Sequence, residues 1–110
     1  MANTFKNAAL ADVDNSAYDT LYTCPSATTS IVLGVAIANK TAQAVNITVQ
    51  FNDDSANTSH QLLEQVDIPG RTTLEVLAGQ KYVLEASDTL KCKAGTASAI
   101  DVTMGLMEIT

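Results

Sequence analysis

The sequence predicts an all-β protein: an antiparallel β-sandwich or jelly-roll-like barrel of about eight strands with an extended N-terminal arm. Three observations lead there. Apolar and polar residues alternate through most of the 110 residues, the spacing of strands that bury one face. Turn chemistry interrupts the alternation at short intervals, as at Cys24-Pro25-Ser26, Asn39-Lys40-Thr41, Pro69-Gly70, Ser87-Asp88 and Ala94-Gly95-Thr96. No apolar pattern of helical period outlasts a single turn. The nearest candidate, HQLLEQV at 60–66, leads directly into Asp67-Ile68-Pro69 and reads better as strand or loop.

Taken in order, residues 1–16 hold Phe5 and Leu10 as isolated apolar anchors among small and polar neighbours. They read as an arm that lies along another surface, and residues 17–110 read as one domain. Strands are predicted at 21–24, 29–39, 44–51, 62–68, 72–77, 82–87, 89–94 and 99–109. The clearest is AVNITVQF, with Val45, Ile47, Val49 and Phe51 inward and Asn46, Thr48 and Gln50 outward. Tyr82, Leu84 and Ala86 repeat the pattern, as do Ile100, Val102, Met104 and Leu106. In 29–39, strict alternation puts Ile31, Leu33, Val35 and Ile37 on a bulky face and Val32, Gly34, Ala36 and Ala38 on a small, uncharged one. Such a small face allows close backbone approach, either by a second sheet of the same chain or by a neighbouring subunit.

Composition narrows the function. Twelve acidic against six scattered basic residues give a net charge of -6, and there is no Trp. A nucleic-acid binder needs a basic face and stacking rings, so that class is set aside. The longest apolar run, 31–38, is far shorter than the ~20 residues that span a bilayer, and MANTFKNAAL has neither the basic start nor the apolar block of a signal peptide. A cytosolic origin is expected.

No constellation promises chemistry. Cys24 and Cys92 lack any metal-ligand spacing; they are expected either as buried thiols or as a disulfide formed after release into oxidising surroundings. His60 is the sole histidine and sits in a polar loop without a nucleophile and acid beside it. Asn52-Asp53-Asp54 with Asn57 lacks the spacing of a calcium loop and reads as a hairpin tip, while Glu75 and Glu85 read as outward strand residues. No catalytic, cofactor or metal residue is predicted, and no enzyme.

The order of segments carries a resemblance. An N-terminal MANTFKNA is followed by DTLYTCPSATTSIVLGVAIANK, a polar strand pair, IPGRTTLEVLAGQKYVLEASDTLKCKAG and a closing DVTMGLMEIT. This resembles the small β-sandwich virion structural proteins of tailed bacteriophages, particularly marine, cyanophage-like ones, over most of the chain. The resemblance implies a virion protein without catalytic residues or cofactors. Within that class it implies first a capsid decoration or cement protein that binds the outer shell and stabilises it, and second a neck, tail or fibre component. A carbohydrate-binding host-attachment module is a further reading, for which Tyr18, Tyr22 and Tyr82 supply few stacking rings. The expected partners are a major capsid protein or other virion subunits and further copies of the chain, with no nucleic acid and no membrane, in a particle assembled in host cytoplasm. Partner contacts are expected at Phe5, Leu10, Val32, Gly34, Ala36, Leu106, Met107 and Ile109.

Overall fold

The structure is a computed structural model that describes residues 2–110, among which there are nine strands and no helix. They are β1 (Asn3–Leu10), β2 (Asp19–Thr23), β3 (Thr29–Asn39), β4 (Val45–Asp53), β5 (Thr58–Ile68), β6 (Thr73–Glu75), β7 (Tyr82–Leu84), β8 (Thr89–Ala94) and β9 (Ile100–Ile109). Each predicted strand is present. β5 starts earlier than its apolar pattern because Thr58 and Ser59 still pair with Asp53 and Asn52, and a backbone ladder needs no apolar side chain. Near the N-terminus β1 is extended and belongs to this chain's own sheet: it runs antiparallel to β9 along its whole length, from Asn3 opposite Ile109 to Leu10 opposite Val102.

The strands pair as one long nested hairpin. β4 and β5 form its tip; β3 pairs with β6 and β7, β2 with β8, and β1 with β9. Rolled up, it makes one sheet in the order β1-β9-β3 with β6 and β7 both on β3, and a second in the order β2-β8-β4-β5. With β6 and β7 taken as one interrupted strand, this is the eight-stranded jelly roll. The interruption has a local cause. Ala78 and Gly79 both adopt positive φ (50° and 89°), and Leu77 drops into the core at 3% exposure, so the chain leaves the ladder between Glu75 and Tyr82.

The core lies between the sheets. Val32, Val35, Ile37, Val102, Met104 and Leu106 come from the first, and Leu21, Ile47, Val49, Leu90 and Cys92 from the second. Val45, Ile47 and Val49 point inward as predicted, as do Ile100, Val102, Met104 and Leu106; Phe51 is half-buried and stacks on the His60 ring. Two alternations differ from expectation. Tyr82 and Ala86 are exposed and only Leu84 reaches the core, because β7 is three residues long and lies at the sheet edge. In β3 the pairing with β9 slips between Val32 and Gly34, which face Leu106 and Gly105 in turn, so Leu33 is an extra residue and the inward phase changes there. Val32, Val35 and Ile37 therefore face the core, whereas Leu33, Gly34, Ala36 and Ala38 do not.

Buried polar groups hold the turns. Asn39, 3% exposed, donates its amide to the carbonyls of Gln43 (2.8 Å) and Ile68 (2.9 Å) and accepts the Thr41 N–H (2.9 Å). Asp88, also 3% exposed, accepts the N–H groups of Asp54 (3.0 Å) and Glu85 (2.9 Å), tying the β4–β5 tip to the turn before β8. Replacing Asn39 by Leu leaves two carbonyls without their donor, and each orphaned group costs roughly 1–3 kcal/mol. The expected outcome is a clear fall in urea midpoint with an unchanged slope, read by equilibrium unfolding of Asn39→Leu.

Candidate interaction face

Residues opposite each other in an antiparallel pair point to the same side of the sheet. On the outward side of the first sheet, register places Phe5 opposite Met107, Met107 opposite Ile31, and Ile31 opposite Val83. One uninterrupted apolar row thus crosses β1, β9, β3 and β7. Phe5 is 73% exposed, Val83 57% and the bulged Leu33 40%. The next row is small: Asn7 lies opposite Gly105, and Gly105 opposite Gly34. A Cβ on Gly34 would come no nearer than 3.6 Å to the Glu75 carboxylate, and one on Gly105 no nearer than 3.8 Å to Asn7 Oδ1. The two glycines therefore open a shallow trough beside Leu33, which continues past Ala36 and Thr103 to Glu75.

Glu75 borders this trough and also supports it. Its Oε1 accepts the N–H of Val35 (3.1 Å) and of Leu77 (3.2 Å), groups that the bulge and the strand break take out of the regular ladder. The other outer face of the molecule is different in kind. On β4 and β8 it carries Thr48 opposite Lys93 and Gln50 opposite Lys91, with Asn46 opposite Asp67 on β5. The first outer face carries an apolar row with Glu75 and Asn7 at the margin of its trough; the other is polar and charged.

Beneath the apolar row a polar chain joins the sheets. Glu108, 8% exposed, accepts the Tyr22 hydroxyl at 2.5 Å, and Tyr22 Oη lies 2.7 Å from Ser30 Oγ, which is 3.2 Å from Cys24 Sγ. Lys6 Nζ approaches the same carboxylate at 3.6 Å. Burial, and then the Glu108 hydrogen bond, push the Tyr22 phenol well above its ordinary value, so it stays a donor throughout the working pH range. Alternation with Met104 and Leu106 aims Glu108 inward, whereas Tyr22, next to the inward Leu21 and beside a bulge in β2, carries no matching signal in the sequence.

At the far end, Lys40 bonds Asp12 and lies 2.9 Å from Asp101 Oδ1, which also accepts the Asp12 N–H (3.0 Å). That N–H, and then Lys40, hold the Asp101 carboxyl below its ordinary value of 3.8.

Of the eight expected contacts, Phe5, Gly34, Ala36, Met107 and Ile109 belong to the outward side of the first sheet. Val32 and Leu106 do not: they are 0% and 1% exposed and face each other across β3 and β9, Leu106 on the inward phase of β9 and Val32 on the core side because the bulge at Leu33 shifts the phase of β3. Leu10, opposite the inward Val102, is half-buried against the same core. Val83 and Leu33 belong to the face and escaped sequence reasoning, Val83 because edge-strand pairing exposes it and Leu33 because of the bulge.

The remaining candidates hold no assembled chemistry. Cys24 and Cys92 are buried and free, and burial, with Asp19 second, pushes the Cys92 thiol up to about 12, far from thiolate reactivity. His60 is exposed on β5 with Nε2 3.1 Å from Thr58 Oγ1. Asp53 is engaged in its own turn, accepting the Ser55 hydroxyl at 2.9 Å. Among the described residues no three His, Cys, Asp or Glu converge as metal ligands.

No protein-family model matches the chain, and no curated protein does. Solved structures of the same fold exist. A chain of infectious bursal disease virus, Gx strain, superposes with a TM-score of 0.57 at 10% identity, over 96% of this chain and 32% of that one. A chain of the Bacillus endospore appendages, described as disulfide-linked pili, superposes with a TM-score of 0.52 at 11% identity, over 96% and 85%. A chain of the cyanophage Pam1 capsid asymmetric unit gives a TM-score of 0.43 at 15% identity, over 96% and 84%. At these identities the first two likenesses are of fold alone.

Two outcomes follow from the assignment of faces. Leu106→Ala empties core volume and is expected to cost roughly 2–5 kcal/mol, whereas Phe5→Ser and Gly34→Ser stay within about 0.5 kcal/mol, all read by urea unfolding. Because its pKa is lowered in the fold, Asp101 contributes stability above its ordinary value of 3.8 and loses that contribution as pH falls through the lowered pKa. The stability gap between wild type and Asp101→Asn is expected to be present at pH 6 and to close on acidification below that value, in unfolding curves taken across the range.

Proposed function

We propose that this chain is a virion structural protein and, within that class, a capsid decoration or cement protein that docks on an assembled shell through the outward face of its first sheet. The observation that carries the reading is the outward row Phe5, Met107, Ile31 and Val83, exposed at its ends and half-buried at its centre, uncharged and flanked by the Gly34–Gly105 trough. Contiguous exposed apolar surface of this kind marks contact sites, and the centres of protein interfaces are depleted of charge and enriched in Phe and Met. Two further facts support it: the segment order resembles small phage virion proteins, and the jelly roll is shared with a chain of a virus particle.

The physics of such a role is linkage. A protein that binds the assembled shell and not its separated subunits stabilises the assembly, and many weak contacts engaged together supply avidity. The polar second face then points to solvent, and the net charge of -6 favours approach to a basic shell surface. In this reading β1 is an exposed edge to which a neighbour can add backbone hydrogen bonds. Phe5, Gly34, Ala36, Met107 and Ile109 are the proposed contacts, joined by Leu33 and Val83, with further copies of the chain as lattice neighbours. Assembly takes place in host cytoplasm.

Quantitative mass spectrometry of purified particles of the encoding phage tests the reading. A copy number equal to the major shell protein, or a simple lattice fraction of it, is expected. A handful of copies would move the protein to the neck, tail or fibre, and absence from the particle would overturn the virion reading. The face is tested separately by a Phe5→Ser, Val83→Ser double variant, expected to keep its urea midpoint and to lose particle occupancy by ~10-fold or more.

A further inference from the structure

The polar outer face carries a groove of its own. It measures about 350 Å³, within the span of roughly 300–1,000 Å³ usual for small-ligand sites. Its floor is Asn46 and Thr48 of β4, and one wall is the β5 bulge at Glu64 and Gln65. Tyr18, from the connection between β1 and β2, and Lys93 of β8 stand on the opposite side.

Three features set the groove apart from ordinary solvated strand surface. Gln65 holds φ at +50°, a strained conformation for a residue with a side chain, and its N–H is accepted by Thr48 Oγ1 at 3.2 Å, so the wall is braced in place. Gly95 is required beside the floor, since a Cβ there would fall 2.6 Å from Asn46 Nδ2 and drive that amide out. The Tyr18 ring is pre-positioned: its hydroxyl accepts Gln61 Nε2 at 3.3 Å, and the Lys93 ammonium lies 5.9 Å from the ring centre.

The chemistry of the lining defines a ligand class. One ammonium and one carboxylate, Lys93 and Glu64, leave no net charge, so the groove does not select an anion or a cation. The amides of Asn46 and Gln65 offer donors and acceptors together, the pairing that vicinal hydroxyls satisfy, and Tyr18 offers a ring edge or face for C–H groups. We propose that this groove binds a neutral saccharide unit, with Tyr18 as its platform and Asn46, Gln65 and Glu64 as its hydrogen-bonding groups. The site lies on the sheet opposite the apolar face and does not depend on the shell-docking reading: a shell-bound copy would present it outward.

The test is a titration of the full chain, labelled with nitrogen-15, with D-galactose, D-glucose, N-acetyl-D-glucosamine and, as an acidic control, sialic acid, followed by amide chemical shifts. Saturable shifts confined to residues around Tyr18, Asn46, Gln65 and Gly95 are expected with at least one neutral sugar. Tyr18→Ala is expected to weaken that binding by roughly tenfold or more, and Glu64→Gln, on the other wall, serves as a second folded variant with weakened binding. No saturable shift with any neutral sugar, a response to sialic acid alone, or shifts unaffected by both substitutions would overturn the proposal. Particle occupancy is unaffected by either substitution if the two sites are separate, so failure here leaves the shell reading standing.

Discussion

One extra residue in one strand organises this molecule. β3 is central to its sheet, bonded to β9 on one side and to β6 and β7 on the other, so any slip in its register propagates to both. Side-chain direction has a period of two along a strand, and inserting Leu33 opposite the Leu106–Gly105 step exchanges the faces halfway along it. Without the bulge, Val32 and Val35 could not both enter the core. With it, they do, and the residues displaced outward are Leu33, Gly34 and Ala36. The same insertion therefore fills the interior and creates the smooth exterior trough.

That arrangement leaves backbone donors to be satisfied, and the structure uses side chains for the purpose. Glu75 takes the N–H groups of Val35 and Leu77, Asn39 and Asp88 secure the turns, and Thr48 takes the N–H freed by the β5 bulge. Each of these acceptors or donors sits where a strand leaves its ladder, which is where a buried unsatisfied group would otherwise be most costly. The polar chain from Lys6 through Glu108 and Tyr22 to Ser30 has a second consequence. It crosses from β1 and β9 to β2, so the exposed edge strand β1 is connected to the opposite sheet by more than its own backbone pairing.

Strand content was legible in the sequence because half-buried strands announce themselves by alternation, and AVNITVQF or IDVTMGL leaves little choice of face. The early part of β5 was not, since Thr58 and Ser59 pair through backbone and carry no apolar signal. The role of Val32 was not legible either. A bulge is a property of two strands, and β9 lies some seventy residues from β3, too far for any local pattern to report it. Phe5 was found as a surface candidate because it is an isolated apolar residue in a polar segment, Gly34 and Ala36 because they are the small members of an alternating strand, and Met107 and Ile109 from the closing segment; Leu33 and Val83 required the register. The groove at Tyr18 drew on four separate segments and left only one visible trace, a tyrosine in a polar connection.

The apolar row depends on the topology as well as on its residues. The outermost pair of the nested hairpin, β1 with β9, joins residues from the two ends of the described chain, so the Phe5–Met107 step of the apolar row is assembled only when that long-range pair closes. Charge is the second factor. A net charge of -6 on a molecule this small makes like copies repel at long range, while the apolar row gains only on close, correctly oriented contact. Repulsion between identical copies and attraction to a basic, multivalent surface are compatible demands on one charge distribution. On the proposed docking role, the charge that opposes close approach of like copies is the same charge that draws the face to a basic partner surface, so the two demands do not conflict.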